Sequence, residues 1–271
     1  MTAVTSKNIA VRMGQVTAAT VVAGAVSSAA LLVGEALLAR HRRYAQPELG
    51  LAVRVALGPA GGAPLRLVLL GDSVTLGVGV DRVADTVGGQ LARLLAEHAG
   101  GSAVAGRRVL LSSVGVAGSR SRDLATQVAR ALLGDRPDVA VVLIGTNDAA
   151  ALRRPGESAV HLAAAVRRLR GAGTEVVVGT CPDLGAARAI LPPLRQLAGL
   201  LGRRTARAQA RAGRDAGARV VDLAGETGAV FRADPNTYCH DGYHPSADGY
   251  RIWAHALLPA VLAAANTAPH R

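Results

Sequence analysis

The sequence is short of several residue types, and each shortage excludes a class of protein. Its 271 residues contain two cysteines and no Cys-x-x-Cys pair, which excludes a zinc ribbon. Aromatic residues make up 2% of the chain, too few for a surface on which nucleic-acid bases stack. Charged residues are only 18% and hydrophobic residues 50%, which favours one sizeable folded domain with an appendage over a disordered chain.

The net charge of +12 is carried almost wholly by arginine, since Lys7 is the only lysine. A basic chain raises the hypothesis of nucleic-acid binding. Here the arginines are scattered over the faces of predicted helices, so we expect no nucleic-acid partner. Attraction to anionic lipid or to an acidic cell envelope stays open.

The N-terminal region contains an uncharged stretch, Met13–Gly34, with basic residues on both sides. It has the length of a membrane span, but it is rich in small residues and strongly apolar only at Leu31–Leu38. Three interpretations stay open: an uncleaved signal anchor, a cleaved signal peptide, and a helix packed on the domain. We expect residues 1–40 to be an anchor or signal segment, with membrane association through residues 13–38. The protein is then membrane-anchored or exported.

Residues 41–64 are rich in turn-forming Gly and Pro, which predicts a linker with room for one short strand at Leu51–Leu57. The motifs described below all follow Leu65. The sequence therefore predicts that a chain beginning near Leu49 folds, stays soluble and remains active.

From residue 65 to 268, short aliphatic runs alternate with helical patterns. Runs of Val, Leu and Ile without polar alternation are typical of strands buried on both faces. Strands that alternate with helices predict a parallel sheet covered by helices on both sides. The sequence thus predicts a three-layer α/β/α domain with a five-stranded parallel sheet. The predicted strands are Leu65–Leu70, Arg108–Val114, Val139–Ile144, Glu175–Thr180 and Arg219–Leu223.

Four short polar segments lie in this domain, three of them directly after predicted strands. Ligands of parallel sheets bind beyond the carboxyl ends of the strands, so these segments converge on one edge of the sheet. Together they offer a nucleophile, hydrogen-bond donors for an oxyanion, and an acid–base pair. They are Gly71-Asp72-Ser73, Gly115-Val116-Ala117-Gly118, Gly145-Thr146-Asn147-Asp148 and Asp241-Gly242-Tyr243-His244-Pro245.

The four segments, in this order, resemble those of the SGNH (GDSL-type) serine hydrolase family, and the resemblance covers residues 65–264. It implies a flavodoxin-like strand order 2-1-3-4-5. It implies Ser73 as the nucleophile and an oxyanion hole formed by the N–H groups of Ser73 and Gly118 and the side-chain amide of Asn147. The family often has an Asn shortly before its second block, where this chain has Ser112 and Ser113.

The Asp-x-x-His spacing of Asp241 and His244 lets the carboxylate reach Nδ1 of the imidazole while Nε2 faces the serine. This pair is a hallmark of the family that the chain resembles. A metal site that uses His240 and His244 is disfavoured, because Gly242 argues against the helix that would bring them to one face. We therefore expect no metal and no organic cofactor.

The resemblance implies a serine esterase that hydrolyses lipid, aryl or acetylated-sugar esters through an acyl-enzyme. Two alternatives stay open: an acyltransferase using the same acyl-enzyme, and a non-catalytic envelope-binding module on the same scaffold. Tyr238 and Tyr243, next to the predicted catalytic turn, are candidate substrate-binding residues. Asp148 is expected to be structural.

Three further assignments concern the rest of the chain. Tyr250 and Trp253 are expected to pack in the core, because their spacing places them on one helical face. Cys181 and Cys239 form a disulfide if the domain is exported, or remain free thiols. The oligomeric state is left open.

Overall fold

The computed structural model describes residues 30–39, 41–42, 44–47, 53–98 and 104–268. Most of the expected anchor, residues 1–29, lies outside these ranges, as does part of the expected linker. Residues 30–39 are helical and belong to α1. No helix within the described ranges combines the length and hydropathy that a membrane crossing requires.

Strands and helices alternate along the rest of the chain as the sequence predicts. The strands are β1 (Arg54–Leu57), β2 (Pro64–Gly71), β3 (Arg108–Ser113), β4 (Val139–Leu143), β5 (Glu175–Gly179) and β6 (Arg219–Val221). The helices after α1 are α2 (Val87–Glu97), α3 (Leu124–Ala131), α4 (Thr146–Ala150), α5 (Pro155–Gly171), α6 (Leu194–Asp215), α7 (Leu223–Ala233) and α8 (Ala247–Thr267).

The central sheet has six strands in the order β1-β3-β2-β4-β5-β6. The five strands from β2 to β6 are parallel, and their order is 2-1-3-4-5 when they are counted from β2. The predicted three-layer fold and strand order are therefore confirmed, and the predicted number of five strands is wrong.

The sixth strand is β1, which pairs antiparallel with β3 at the edge of the sheet. It lies within residues 41–64, where the sequence predicts a linker with room for one short strand at Leu51–Leu57 but does not place that strand in the sheet. Val53 just before it is fully buried, and Val55 and Leu57 pack against the core from one face of the strand. Their alternation with exposed Arg54 and Ala56 is the period-two pattern of an edge strand. Because this run is only four residues long, the turn residues around it dominate its sequence.

Two hydrophobic layers cover the faces of the sheet. Alternate residues of β2 show why: Leu67 and Leu69 belong to one layer, and Val68 and Leu70 to the other. Helices α2 and α8 cover the first face, and α3 and α5 cover the second. Every residue of β4 is buried, as expected for a strand with helices on both sides. The carboxyl ends of β2 to β5 therefore stand together at one rigid edge.

Candidate active site

The turn that carries Ser73 follows β2 directly. Gly71 has φ +150°, and a Cβ added there would overlap the carbonyl oxygen of Leu143 on the neighbouring strand. Only glycine allows β2 to end so close to β4. The Asp72 carboxylate then accepts the N–H of Val74 (3.3 Å) and caps a single 3₁₀ turn, Ser73–Leu76. Ser73 is the first residue of that turn and remains partly exposed.

A buried glutamine, which the sequence analysis did not single out, holds the same strand end. Gln127 on α3 accepts the N–H of Gly71 (2.7 Å) and donates to its carbonyl oxygen (2.8 Å). It also donates to Oγ of Ser119 (3.1 Å) in the second motif. The only sequence signal is a glutamine on the buried face of an amphipathic helix, where an unpaired amide is costly.

The Asp241–His244 segment is a tight turn organised around one carboxylate. Oδ1 of Asp241 accepts the backbone N–H groups of Tyr243 (2.7 Å) and His244 (2.9 Å). Oδ2 lies 2.7 Å from Nδ1 of His244. Gly242 has φ +68°, the left-handed conformation that the turn requires. Burial by itself raises the pKa of Asp241, but these hydrogen bonds outweigh it and hold the pKa well below its ordinary value.

The two turns meet across the edge of the sheet. Nε2 of His244 lies 3.0 Å from Oγ of Ser73, although the two residues are 171 positions apart in sequence. His244 is 8% exposed, and the Asp241 side chain behind it is almost fully buried. With the proton on Nδ1 bonded to Asp241, Nε2 is free to accept the hydroxyl proton of Ser73.

The two predicted oxyanion donors lie around the same cavity as Ser73. Gly118 has φ +77°, and a Cβ there would meet no neighbour, so its backbone conformation, not crowding, demands glycine. No group in the described part of the chain accepts its N–H. Asn147, in the first turn of α4, donates one amide hydrogen to the carbonyl oxygen of Ser119 (3.0 Å), which orients the amide.

Two acidic residues near the site differ in the number of hydrogen bonds that their carboxylates accept. Asp148 is buried and accepts hydrogen bonds from the N–H and hydroxyl of Ser121 and the hydroxyl of Ser158, so its predicted structural role is confirmed. The Asp72 carboxylate is also buried, but among the described residues it accepts only the Val74 N–H. Burial raises the pKa of Asp72 to about 7.

The remaining candidates are placed as follows. Tyr238 and Tyr243 both line the cavity that contains Ser73. Tyr250 and Trp253 are buried in the core, as predicted, and the Tyr250 hydroxyl donates to the carbonyl oxygen of Val78 (2.7 Å). His240 is exposed.

The two cysteines are free in the structure. Cys181 is fully buried, and Cys239 is half-buried with its thiol 3.2 Å from Oδ1 of Asp241. In the ranges that the structure describes, no three His, Cys, Asp or Glu side chains form a group that could hold a metal ion.

The chain before β1 also contributes to the site, at residues that no sequence motif marks. The Tyr44 ring packs against Tyr243 (centroids 5.1 Å apart) and faces the edge of His244 (6.4 Å). The N–H of Ala45 donates to Oδ2 of Asp241 (3.0 Å). Both residues belong to the segment predicted as a linker, which carries no motif that could have signalled this position.

Comparison with known proteins identifies the class. The chain matches the GDSL-like lipase/acylhydrolase family over residues 69–252. It is 43% identical over 199 residues to a GDSL-like esterase of Mycobacterium tuberculosis, a match that covers 73% of this chain and 62% of that protein. The chain thus spans less than two thirds of that relative's length. It belongs to the GDSL-like lipase/acylhydrolase family.

Solved structures show the same fold. A lipolytic protein of the G-D-S-L family from Veillonella parvula superposes with a TM-score of 0.56 at 18% identity, covering 73% of this chain and 97% of that one. A catalytic mutant of an acetylxylan esterase from Geobacillus stearothermophilus has a TM-score of 0.55 at 19% identity, covering 74% and 95%. At these identities the likeness supports the three-layer architecture and leaves the substrate open.

Proposed function

We propose that this protein hydrolyses carboxylic esters with Ser73 as nucleophile, His244 as general base and acid, and Asp241 as the group that orients His244. The observation that carries the proposal is the continuous contact from Ser73 Oγ to His244 Nε2 (3.0 Å) and from His244 Nδ1 to Asp241 Oδ2 (2.7 Å). A serine hydroxyl is weakly nucleophilic at neutral pH and needs such a base.

In the acylation step, Ser73 Oγ attacks the carbonyl carbon of the ester while His244 Nε2 takes the hydroxyl proton. The N–H groups of Ser73 and Gly118 and the amide of Asn147 donate to the oxyanion of the tetrahedral intermediate. The imidazolium is stabilised by Asp241, whose low pKa keeps it ionised. His244 then gives its proton to the leaving alcohol.

Deacylation repeats these steps with water. His244 takes a proton from the water that attacks the acyl-enzyme, and the tetrahedral intermediate forms in the same oxyanion hole. Collapse breaks the bond to Ser73 Oγ, which regains its proton from His244. The products are a carboxylic acid and the free enzyme, and none of these steps calls for a cofactor.

The experiment is release of nitrophenol from acetyl and butyryl nitrophenyl esters by wild type and by Ser73→Ala. We expect wild type to turn over both esters and Ser73→Ala to lose kcat by about 10³-fold or more. Ser112→Ala is a suitable comparison, because Ser112 is a half-buried serine on β3 to which no catalytic role is assigned. Equal loss in both variants, or full activity in Ser73→Ala, would contradict the proposal.

A further inference from the structure

We propose that α1 and the residues after it complete an apolar chamber that holds the acyl chain of the ester, so that the preferred substrates carry an extended aliphatic acyl group and not acetyl. The inference rests on the proposed function, since it concerns the acyl side of the ester that Ser73 attacks. It extends that function by naming a substrate class and by assigning α1 and residues 44–47 to the active site.

Two polar contacts fix α1 and the end of its segment against the domain. The Glu35 carboxylate accepts the N–H of Leu194 (2.9 Å), the first residue of α6. The residue at the N-cap of α6, Pro193, makes no side-chain hydrogen bond to the helix. Glu35 therefore supplies an acceptor for one backbone N–H at the start of α6 and places negative charge at that N-terminus. The Arg42 guanidinium donates to the carbonyl oxygen of Ala189 (2.6 Å). The helix is therefore held beside α6 and the loop before it.

The next few residues reach the catalytic centre itself. Ala45 donates its N–H to the same Asp241 oxygen that bonds His244, and the Tyr44 ring lies against Tyr243 and His244. Glu35 contacts α6 and Ala45 contacts Asp241, so the chain between them runs beside the opening to Ser73. It therefore forms a wall of the site.

The chamber bordered in this way has a volume of about 760 Å³, within the range of small-molecule sites. Residues four apart lie on the same side of a helix, so Leu32 and Ala36 form one row along α1. Val33 and Leu37 form the row beside it. The α1 residues that line the chamber are Leu32, Val33, Ala36, Leu37 and Ala39. Facing them are Leu184, Ile190, Leu194, Leu197, Leu201 and Phe231.

The composition of these walls selects an apolar occupant. Of the described residues that line the chamber, none is Arg or Lys, although the chain carries 31 such residues. Asp183 is on the wall, but its carboxylate is paired with Arg232. Polar side chains that a sugar hydroxyl could bond, such as Gln46 and Thr227, are outnumbered on this lining by aliphatic ones. Each methylene of an acyl chain buried here leaves water. An acetyl group would leave most of the apolar surface unused.

The test measures kcat/KM for acetyl, butyryl, octanoyl and dodecanoyl nitrophenyl esters with the full-length chain. We expect wild type to favour octanoyl over acetyl by about tenfold or more, because hydrophobic pockets discriminate by successive methylenes. Ala36→Trp fills the chamber from α1 and should reduce octanoyl turnover about tenfold more than acetyl turnover. Ala30→Trp, on exposed α1 surface outside the chamber, should keep the wild-type ratio.

A second pair of variants, on α6, keeps the test decisive if Ala36→Trp fails to fold. Leu197→Trp enters the chamber from α6, and Leu200→Trp lies on the exposed side of the same helix. A wild type that favours acetyl, or an octanoyl-to-acetyl ratio that neither chamber variant lowers, overturns the acyl chamber while Ser73-dependent turnover still stands. If wild type hydrolyses none of the four esters, the proposed function is wrong, and so is the acyl chamber that rests on it.

Discussion

Two regions of the molecule meet at the candidate active site, and they are built in different ways. The turns that carry Ser73 and Asn147 follow strands that are buried at their carboxyl ends, and a buried amide from Gln127 braces the first of these turns. The covering segment, which consists of the described residues 30–39, 41–42 and 44–47, lies outside the sheet, and its Leu31 and Leu38 are 53% and 65% exposed. A sheet edge can position reacting groups closely, whereas a covering segment can vary the shape of the cavity without disturbing them.

We expect the largest losses of activity from substitutions of His244 and of Asp241, which orients it. His244→Ala removes the base, and Asp241→Asn leaves the imidazole without its orienting charge, so each should lower kcat by about 10³-fold or more. His240→Ala changes an exposed histidine four residues from the base and should cost little. Steady-state ester turnover measures all three, and a dispensable His244 beside an essential His240 would reverse the assignment.

The oxyanion donor should have the next largest effect. Asn147→Ala removes one side-chain donor at the cavity, and loss of one such donor lowers kcat by about 10²–10³-fold. The effect should fall on kcat more than on KM, because the charge that Asn147 stabilises develops only after attack. Asn236→Ala, an exposed asparagine, is the matched control. A change confined to KM would place Asn147 in substrate binding.

Deleting the covering segment should lower ester turnover less than the substitutions above. The sequence alone predicts that a chain beginning near Leu49 is active, whereas the contacts of Tyr44 and Ala45 predict a loss. Losing the hydrogen bond to the charged Asp241 should lower acetyl-ester turnover about tenfold, with the octanoyl preference lost as well. Comparing kcat/KM and the thermal midpoint of the two chains tests this. An unchanged substrate preference would mean that the segment forms no wall of the site.

The smallest effect concerns stability. Burial raises the pKa of Asp72 from 3.8 to about 7, so the folded state holds this proton more tightly than the unfolded state. The free energy of unfolding should therefore fall as pH rises from about 4 to 7 and level off above that. Asp72→Asn removes this dependence, while Asp81→Asn, at an exposed position, should retain it. Thermal midpoints across that pH range measure the difference, and parallel curves for wild type and Asp72→Asn would contradict it.

The difference between the sheet and the covering segment also explains which features can be predicted from the sequence. The parallel strands are continuous aliphatic runs, so the fold is predictable, and Ser73 is predictable because it follows the first of them. His244 is predictable from the Asp-x-x-His spacing that it completes. A short strand is also expected at Leu51–Leu57, where β1 lies, but its place in the sheet depends on pairing with β3, which no local pattern marks. Gln127 and Ala45 act through an interior amide and a backbone N–H, which depend on packing and leave no local pattern.

The catalytic role of Ser73 is tested most directly by covalent labelling of the full-length chain with a fluorophosphonate, followed by peptide mapping. We expect one modified residue, Ser73. Labelling should be slow in His244→Ala, because the hydroxyl loses its base, and absent in Ser73→Ala. Modification of a different serine, or labelling that persists in Ser73→Ala, would contradict the claim that Ser73, His244 and Asp241 form one catalytic unit.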